Sequence, residues 1–542
     1  MGLLAGAGVL LVAGRASANG FEIPENGTEV MGRAGAWTAR ADNPLAVGLN
    51  PAGLAGQPTA FVVNTNLTYQ KQCFSRAGNY AAGGNYGGSK FPTGDYEGKP
   101  FPTVCKQNGI GDVGIVPQLA FNYAVSSKVS IGFAPLWTPS GTGKALWPDG
   151  VDRPLTTSDG TPAPPPQRFM LLAKNARIIM PTLGVGAEVL PGLRLGASFQ
   201  AVMTFFESQV SSQGSQSALQ DAAQGPTPAV RSTVKWNQLF TPAFVLGALA
   251  SPSPEFDIGF MFRWSADIVK KGGEVTLNGP FYGDQGSPAT RAVDTTVKFE
   301  EFRLPQPWEI RMGVRYHKLR AGVVPPAQGR RDFLKHDVFD VEVDFQYSHN
   351  SSFQQITVLF PTDPQCVGLG VNPRDGTALT KCASYVPPDA SILKKWQDTL
   401  AIRVGGEYVA IPDKLGLRLG GFFQTRGQDP QYLNLDFHPG RMLGFFLGAT
   451  LRAASFADVS IGYGHIFVET FDNTATGGSL RGLAGTRPDN PDPSDPSRPT
   501  VDNYRNACPG QSVPSYRTCT IVNTGKLETG YNMFSIGATF RL

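Results

Sequence analysis

After residue 57 apolar and polar residues alternate with a period of two along most of the chain. From Leu193, the odd positions Leu193, Leu195, Ala197, Phe199, Ala201, Met203 and Phe205 are apolar, with Arg194, Gly196, Ser198 and Gln200 between them. From Val338, Phe339, Val341, Val343, Phe345 and Tyr347 alternate with Asp340, Glu342, Asp344 and Gln346. Leu400, Ile402, Val404 and Tyr408 oppose Thr399, Arg403 and Glu407, and Leu415, Leu417, Leu419 and Phe423 oppose Arg418 and Gln424. This period predicts strands with one apolar and one polar face.

A soluble sandwich alternates in the same way, so the connections decide between the two architectures. Short turns fall at Ser126–Lys128, Leu190–Gly192, Ser251–Pro254, Ile411–Lys414 and Ala453–Phe456. Long polar loops rich in Gly and Pro lie near Gln72–Asp112, Ser140–Gln167, Ser211–Val230, Pro361–Lys395 and Asn473–Thr524. One connection, Lys318–Lys335, should be short and is not. Alternating short and long connections predict a membrane barrel with turns at one end and loops at the other. The expected fold is all-β: about fourteen antiparallel transmembrane strands. The last segment, with Phe534, Ile536, Ala538, Phe540 and Leu542 on one face, suits the closing strand.

Residues 1–18 carry an apolar core and end in Ala16-Ser17-Ala18, which predicts an export signal removed after Ala18. The apolar core is too short for a membrane span, which needs ~20 residues. The chain has 542 residues with 17% charged, 10% aromatic and a net charge of +4, too mild to point to nucleic acid. Cysteines fall in three local sets, Cys73 with Cys105, Cys366 with Cys382 and Cys508 with Cys519, and pairing within each set is expected in an oxidising compartment. No nucleotide-binding, metal-protease or nucleophile-elbow motif occurs. Neither a cofactor, a metal nor an enzyme activity is therefore expected.

Residues 19–56 lack strand alternation and end near Asn50-Pro51-Ala52, just before the first strand-like stretch. The expectation is a plug (hatch) folded back inside a barrel of residues 57–542. If Ile310, Met312, Val314 and Tyr316 face lipid, Glu309, Arg311, Arg315 and His317 face inwards. The next strands add Asp340, Glu342 and Asp344, then Arg403 and Glu407. Opposite charges on neighbouring strands hold register, and a midplane Arg on the lipid face would cost ~2–4 kcal/mol. The inner wall is thus expected to be a salt-bridged network. Arg33 and Arg40 could dock the plug on its acidic row. In the third strand Pro135 cannot donate to a sheet ladder. A kink after Gly132 and Phe133, with Leu136 and Trp137 nearby, would open an apolar gap in the wall.

These residues resemble the FadL-type outer-membrane transporters of long-chain fatty acids and other hydrophobic compounds. The resemblance rests on Asn19-Gly20-Phe21, on Gly32-Arg33-Ala34-Gly35 followed by Asn50-Pro51-Ala52, on Leu304-Pro-Gln-Pro-Trp308, Ser352–Ile356 and Tyr463-Gly-His465, and on the aromatic last strand. It implies a fourteen-stranded barrel in the bacterial outer membrane, an N-terminal hatch, an outer apolar groove and a lateral opening in strand three. The implied function is passive uptake of hydrophobic molecules by a monomer. Its partners would be outer-membrane lipid and lipopolysaccharide. Ligand contacts are expected from Phe21, Phe133, Leu136, Trp137, Phe205 and Phe206, and the gate from Arg33, Arg40, Asn50, Pro51 and Ala52. Fatty-acid members place basic residues near the outer ends of strands five and nine. Here Phe206-Glu207 and Thr357 stand at the approximate counterparts, which favours neutral cargo. The competing readings are a general diffusion porin and a structural or adhesive surface protein.

Overall fold

A computed structural model of the protein describes residues 26–480 and 522–542 except for stretches within loops, the longest of which are 91–97, 214–228, 282–292, 324–330 and 372–377. Phe21, Cys508 and Cys519 lie outside the described residues. Fourteen antiparallel strands form a closed barrel. They are β1 (Ala60–Arg76), β2 (Val113–Ala124), β3 (Val129–Leu136, resuming at Gly143–Leu146), β4 (Leu171–Ile179 and Thr182–Leu190), β5 (Leu193–Gln213), β6 (Ala229–Ser253) and β7 (Phe256–Ser265 and Ile268–Phe281). The second half comprises β8 (Val293–Leu304 and Glu309–Leu319), β9 (Asp337–Ser348 and Gln355–Leu359), β10 (Asp389–Leu393 and Thr399–Ile411), β11 (Leu415–Gln424), β12 (Met442–Ala454), β13 (Ala457–Val468) and β14 (Gly525–Arg541). Each strand pairs with its sequence neighbour, and β14 pairs with β1 from Ala60↔Arg541 to Arg76↔Gly525.

The period of two becomes inside and outside. Met312, Phe345, Leu400, Leu419, Phe445 and Ile536 are exposed on the outer face, where lipid replaces water. Arg311, Asp340, Glu342, Arg403 and Arg418 are buried within. β5 and β6 run for 21 and 25 residues, well beyond the ~9–11 needed to cross a bilayer, so both continue past the membrane at the long-loop end. The inner halves of β7 to β10 end on one level, because Arg263, Glu309, Ser348 and Thr399 are consecutive register partners. Above that level the backbone breaks, at Pro305–Trp308 in β8 and at His349–Gln354 in β9, before the outer halves resume.

The first described residues, 26–57, lie inside this barrel as short turns and helices: α1 (Thr28–Met31), α2 (Ala46–Leu49) and a 3-10 turn at Pro51–Leu54. Space for them comes from inward glycines. Gly186, Gly196 and Gly247 stand in register across β4, β5 and β6. A Cβ on Gly196 would lie 2.2 Å from the Pro51 carbonyl carbon, and one on Gly247 2.0 Å from Asn50 Oδ1. On the far wall Gly405 and Gly420 are partners, and a Cβ on either would strike the Arg33 backbone at 2.4 Å. The glycines therefore seat the segment; a side chain at any of these five positions would push it out of register.

The sequence reading misses in two places here. Cys73 belongs to β1 rather than to a loop, and it pairs with Cys105 across a short ladder as a disulfide. The long-loop end can carry strands because several of them outrun the bilayer. Cys366 and Cys382 lie on the two strands of one hairpin, Cys366–Val371 with Ala378–Tyr385. The described end of the long connection, residues 331–336, folds back over the short-turn end through α3 (Phe333–His336). Arg331 donates to the Pro254 carbonyl at 2.9 Å, Arg452 lies 2.8 Å from Asp332, and the Asp413 amide donates to the Leu334 carbonyl at 2.8 Å. These contacts strap it to turns on both sides of the barrel mouth. Beside it, Lys318 donates to Glu255 in the β6–β7 turn and holds that carboxyl below its usual range.

Candidate functional site

The segment 26–57 has a charged side and an apolar side, and the barrel has a wall for each. Asp340, Glu342 and Asp344 alternate along β9, so all three point inwards. They meet Arg33–Arg40 in steps. Asp344 Oδ2 accepts from the backbone amides of Trp37 and Thr38, both at 3.0 Å, and from Thr38 Oγ1 at 2.7 Å. Glu342 accepts from the Ala39 amide at 2.6 Å and from Arg33 at 3.3 Å. Asp340 pairs with Arg33 and, at 2.7 Å, with Arg315 of β8. Arg40 reaches Glu407 of β10 at 2.6 Å, and Arg418 of β11 holds the same carboxylate at 3.0 Å. Arg403 donates to the Ala34 carbonyl at 3.0 Å. Arg311 lies aside, paired with Glu309 at 3.2 Å.

All these groups are buried. Desolvating so many charges cancels most of their attraction, so the network contributes little net stability but strongly specifies one docking position. Removing one member leaves a buried partner exposed to that desolvation cost, typically ~3–5 kcal/mol.

On the opposite side Leu45, Val47, Leu49 and Leu54 pack with Val62, Ala120, Ala134, Trp137, Ile178 and Val202 of β1 to β5. Trp137 is fully buried, and a Cβ on Gly48 would lie 2.9 Å from its ring. Asn50 closes the adjacent turn: its side chain accepts from the Ala52 amide at 3.3 Å and donates to the Thr38 carbonyl at 2.7 Å. Asn50, Pro51 and Ala52 are thus a packed corner against β4, β5 and β6, and residues 53–59 lead from it to the start of β1 at Ala60.

Trp137 also marks a break in the wall. β2 pairs with β3 only from Leu119↔Leu136 to Ala124↔Ser130, with a register irregularity between Leu119 and Phe121. That irregularity faces Pro135, which has no amide hydrogen to give the ladder. Beyond it β3 turns to β4: the Met180 amide donates to the Trp137 carbonyl at 2.8 Å, and Gly143–Leu146 pair with Leu146↔Ala173 as the outermost rung. Val113–Gln118 of β2 pair with β1 but, among the described residues, not with β3. Inside the pore, a Cβ on Gly132 would lie 2.8 Å from Leu54.

At the long-loop end an aromatic cluster sits over the level where β7 to β10 break. Phe206 stacks on Trp236 with centroids 5.1 Å apart, Phe302 lies 5.3 Å from Phe206, and Phe353 meets Trp396 edge-on at 4.4 Å. Phe437, from the loop between β11 and β12, closes it at 6.1 Å from Trp396.

Of the six expected ligand residues, the structure brings Trp137 and Phe206 to the interior. Phe133 stands exposed on the outer face and Phe205 half-buried on the same side, because neighbours in a strand point opposite ways. Leu136 is half-buried at the edge of the β2–β3 break. Thr357 in outer β9 accepts from Gln355 at 3.2 Å and carries no charge. Sequence reading missed two lysines. Lys174 of β4 and Lys394, just before the inner half of β10, both turn inwards beside Phe437, at 4.2 and 5.8 Å from its ring. Lys174 could have been found from its inward parity on β4; Lys394 lies outside any strand and had no such signal.

A closed barrel with an apolar outer band, short turns at one end and long loops at the other is a transmembrane β-barrel of the bacterial outer membrane. Its fold is that of the FadL-type channels. Similar solved structures are a FadL homologue of Pseudomonas aeruginosa (TM-score 0.62, 15% identity, covering 96% of this chain and 100% of that one) and the Ralstonia pickettii toluene transporter TbuX (0.53, 15%, 96% and 100%). The Pseudomonas putida toluene transporter TodX is similar as well (0.53, 12%, 97% and 98%). No family model and no curated protein sequence matches the chain.

Proposed function

We propose that this protein carries hydrophobic molecules passively across the outer membrane, with residues 19–56 as the hatch. The observation that carries this reading is the two-sided seating of that segment. It is clamped by Arg33 and Arg40 to β9 and β10, and it is greased on its other side against Trp137 at the break between β2 and β3. Cargo would enter at the aromatic cluster, displace the apolar side of the hatch and leave sideways past Leu136 and Trp137 into lipid. The similar toluene transporters and FadL homologue support a hydrophobic cargo. Burial of each methylene is worth ~0.8 kcal/mol, so a long chain gains on the order of 10 kcal/mol in an apolar path without energy coupling. The barrier such a path bypasses is the polar lipopolysaccharide layer.

A general diffusion porin is disfavoured by the filled lumen. Planar-bilayer recording separates the two readings. Full-length protein should pass little current, and deletion of residues 19–41 should raise ion leak and weaken cargo uptake together. Large steady currents from the intact protein would overturn the proposal.

A further inference from the structure

The wall also loses its rungs between β6 and β7. Their ladder runs from Ser253↔Phe256 to Ala243↔Ser265, and the Ala266 amide then donates to the Pro242 carbonyl at 3.0 Å. It resumes only at Val234↔Val275. Among the described residues no rung joins Lys235–Thr241 to Asp267–Glu274. On its other edge β6 carries a bulge: Val202↔Thr241 is followed by Thr204↔Gln238, so Leu239 and Phe240 together oppose Met203. Such a bulge bends its strand and can end pairing. Here it turns both side chains outwards, 61% and 55% exposed. The Phe240 carbonyl takes the Gln238 side-chain amide at 2.9 Å rather than a backbone amide of β7.

Bare strand edges cannot face hydrocarbon, because nothing there satisfies their amides and carbonyls. Ala243–Ser253, laddered to β7, already matches the ~9–11 residues that cross a bilayer. The seam therefore begins where hydrocarbon gives way to head groups. On its lipid side stand Leu239 and Phe240, with the Phe199 ring 6.2 Å from that of Phe240. Behind it lie Trp236, Phe206, Phe302 and Ile268 of the aromatic cluster, all buried. Parting β6 from β7 here breaks no ladder hydrogen bond. The lumenal segment packs against these strands at Ala243, Gly247 and Arg263, all on the short-turn side of the seam.

We propose that this seam is a lateral exit from the aromatic cluster into the outer leaflet for small neutral hydrophobic cargo. A molecule leaving here passes clear of the lumenal segment, which stays docked on Asp340 and Glu407. Leu239 and Phe240 receive it on the lipid side. The rungs at Ala243↔Ser265 and Val234↔Val275 bound the opening and limit cargo size. A charge is excluded because the path ends among acyl chains, where an unpaired ion is costly. This inference rests on the hydrophobic-cargo reading and differs from the route past Leu136 and Trp137, which requires the segment to move.

Uptake of N-phenyl-1-naphthylamine by cells carrying the full chain tests it, since this neutral aromatic probe fluoresces on reaching lipid. Asn237→Cys with Lys271→Cys places two exposed thiols across the seam, and a bismaleimide bridges them. Peptide mass confirms the bridge, and heat-dependent gel migration confirms the folded barrel. Bridging should slow uptake at least twofold. Combined with Pro135→Val, which lets β3 pair further along β2, it should abolish the protein-dependent uptake that remains. Leu239→Asp with Phe240→Asp puts a charged lip at the same place without a cross-link and should slow uptake likewise. Unchanged uptake in the bridged protein and in the charged-lip variant, with wild type still active, overturns this proposal and leaves the channel reading intact. Wild-type cells no faster than cells lacking the protein overturn both.

Discussion

Arg40 of the lumenal segment lies 2.6 Å from Glu407 on β10, and on its other side its guanidinium covers the Phe333 ring at 4.3 Å. One arginine thus ties the segment to the barrel wall and to the strap at the short-turn end. It is the residue at which docking of the segment and closure of the mouth meet.

Replacing Arg40 with Gln should therefore loosen the segment without unfolding the barrel. Glu407 keeps Arg418, and Asp340 keeps Arg33 and Arg315, so the barrel itself remains neutralised. The variant should show frequent brief openings in planar bilayers and lose on the order of 3 kcal/mol in docking of the segment. Conductance as low as that of wild type would show that the remaining contacts suffice.

Gly247→Leu and Gly196→Val should displace the corner at Asn50–Ala52, since even a Cβ there falls within 2.0–2.2 Å of its atoms. Overpacking of this kind costs ~1–3 kcal/mol or forces rearrangement. Protease cleavage within residues 26–57 should become detectable while the heat-resistant barrel persists on gels. Gly114→Ala, whose new Cβ meets only Thr68 at 3.5 Å, is the matched control and should behave as wild type.

Pro135→Val should let β3 extend its ladder along β2 and narrow the break beside Trp137. Uptake of a hydrophobic probe into cells should fall several-fold at unchanged expression. Trp137→Ala should act in the opposite sense on ion leak, because it removes the ring that fills the space against Gly48. Unchanged uptake in Pro135→Val would argue against a sideways exit.

Phe333→Ala removes a buried ring from between the strap and Arg40 and Arg315. Large-to-small changes at buried aromatics cost ~3–5 kcal/mol in a core, and less is expected here because the strap can collapse onto Leu334 and Val409. Hydrogen exchange should speed up at residues 331–336 and at Arg40, and remain slow in β9. Uniform slow exchange would mean that the polar contacts of Arg331, Asp332 and Leu334 hold the strap without the ring.

Much of this was written in the one-dimensional pattern. The inward carboxylates of β9 were legible because Asp340, Glu342 and Asp344 alternate with Phe339, Val341 and Val343, and a lipid-facing charge is too costly to tolerate. The lumenal position of Arg33 and Arg40 followed from a segment without alternation lying ahead of a barrel. Phe133 was given to the site as part of the kink in β3, and Phe205 against its own parity, and both stand on the outer face.

By itself, then, the sequence determined the strand count, the end that carries the loops and the two faces of the membrane-crossing strands, because a bilayer imposes a strict period on any strand that crosses it. Only the tertiary structure decided which distant inward groups meet. Barrel closure brings Lys174, Lys394 and Asp436 together across more than two hundred residues. It also stacks Gly186, Gly196 and Gly247 into one seat. Register and curvature set those meetings, and neither leaves a local trace in composition or period.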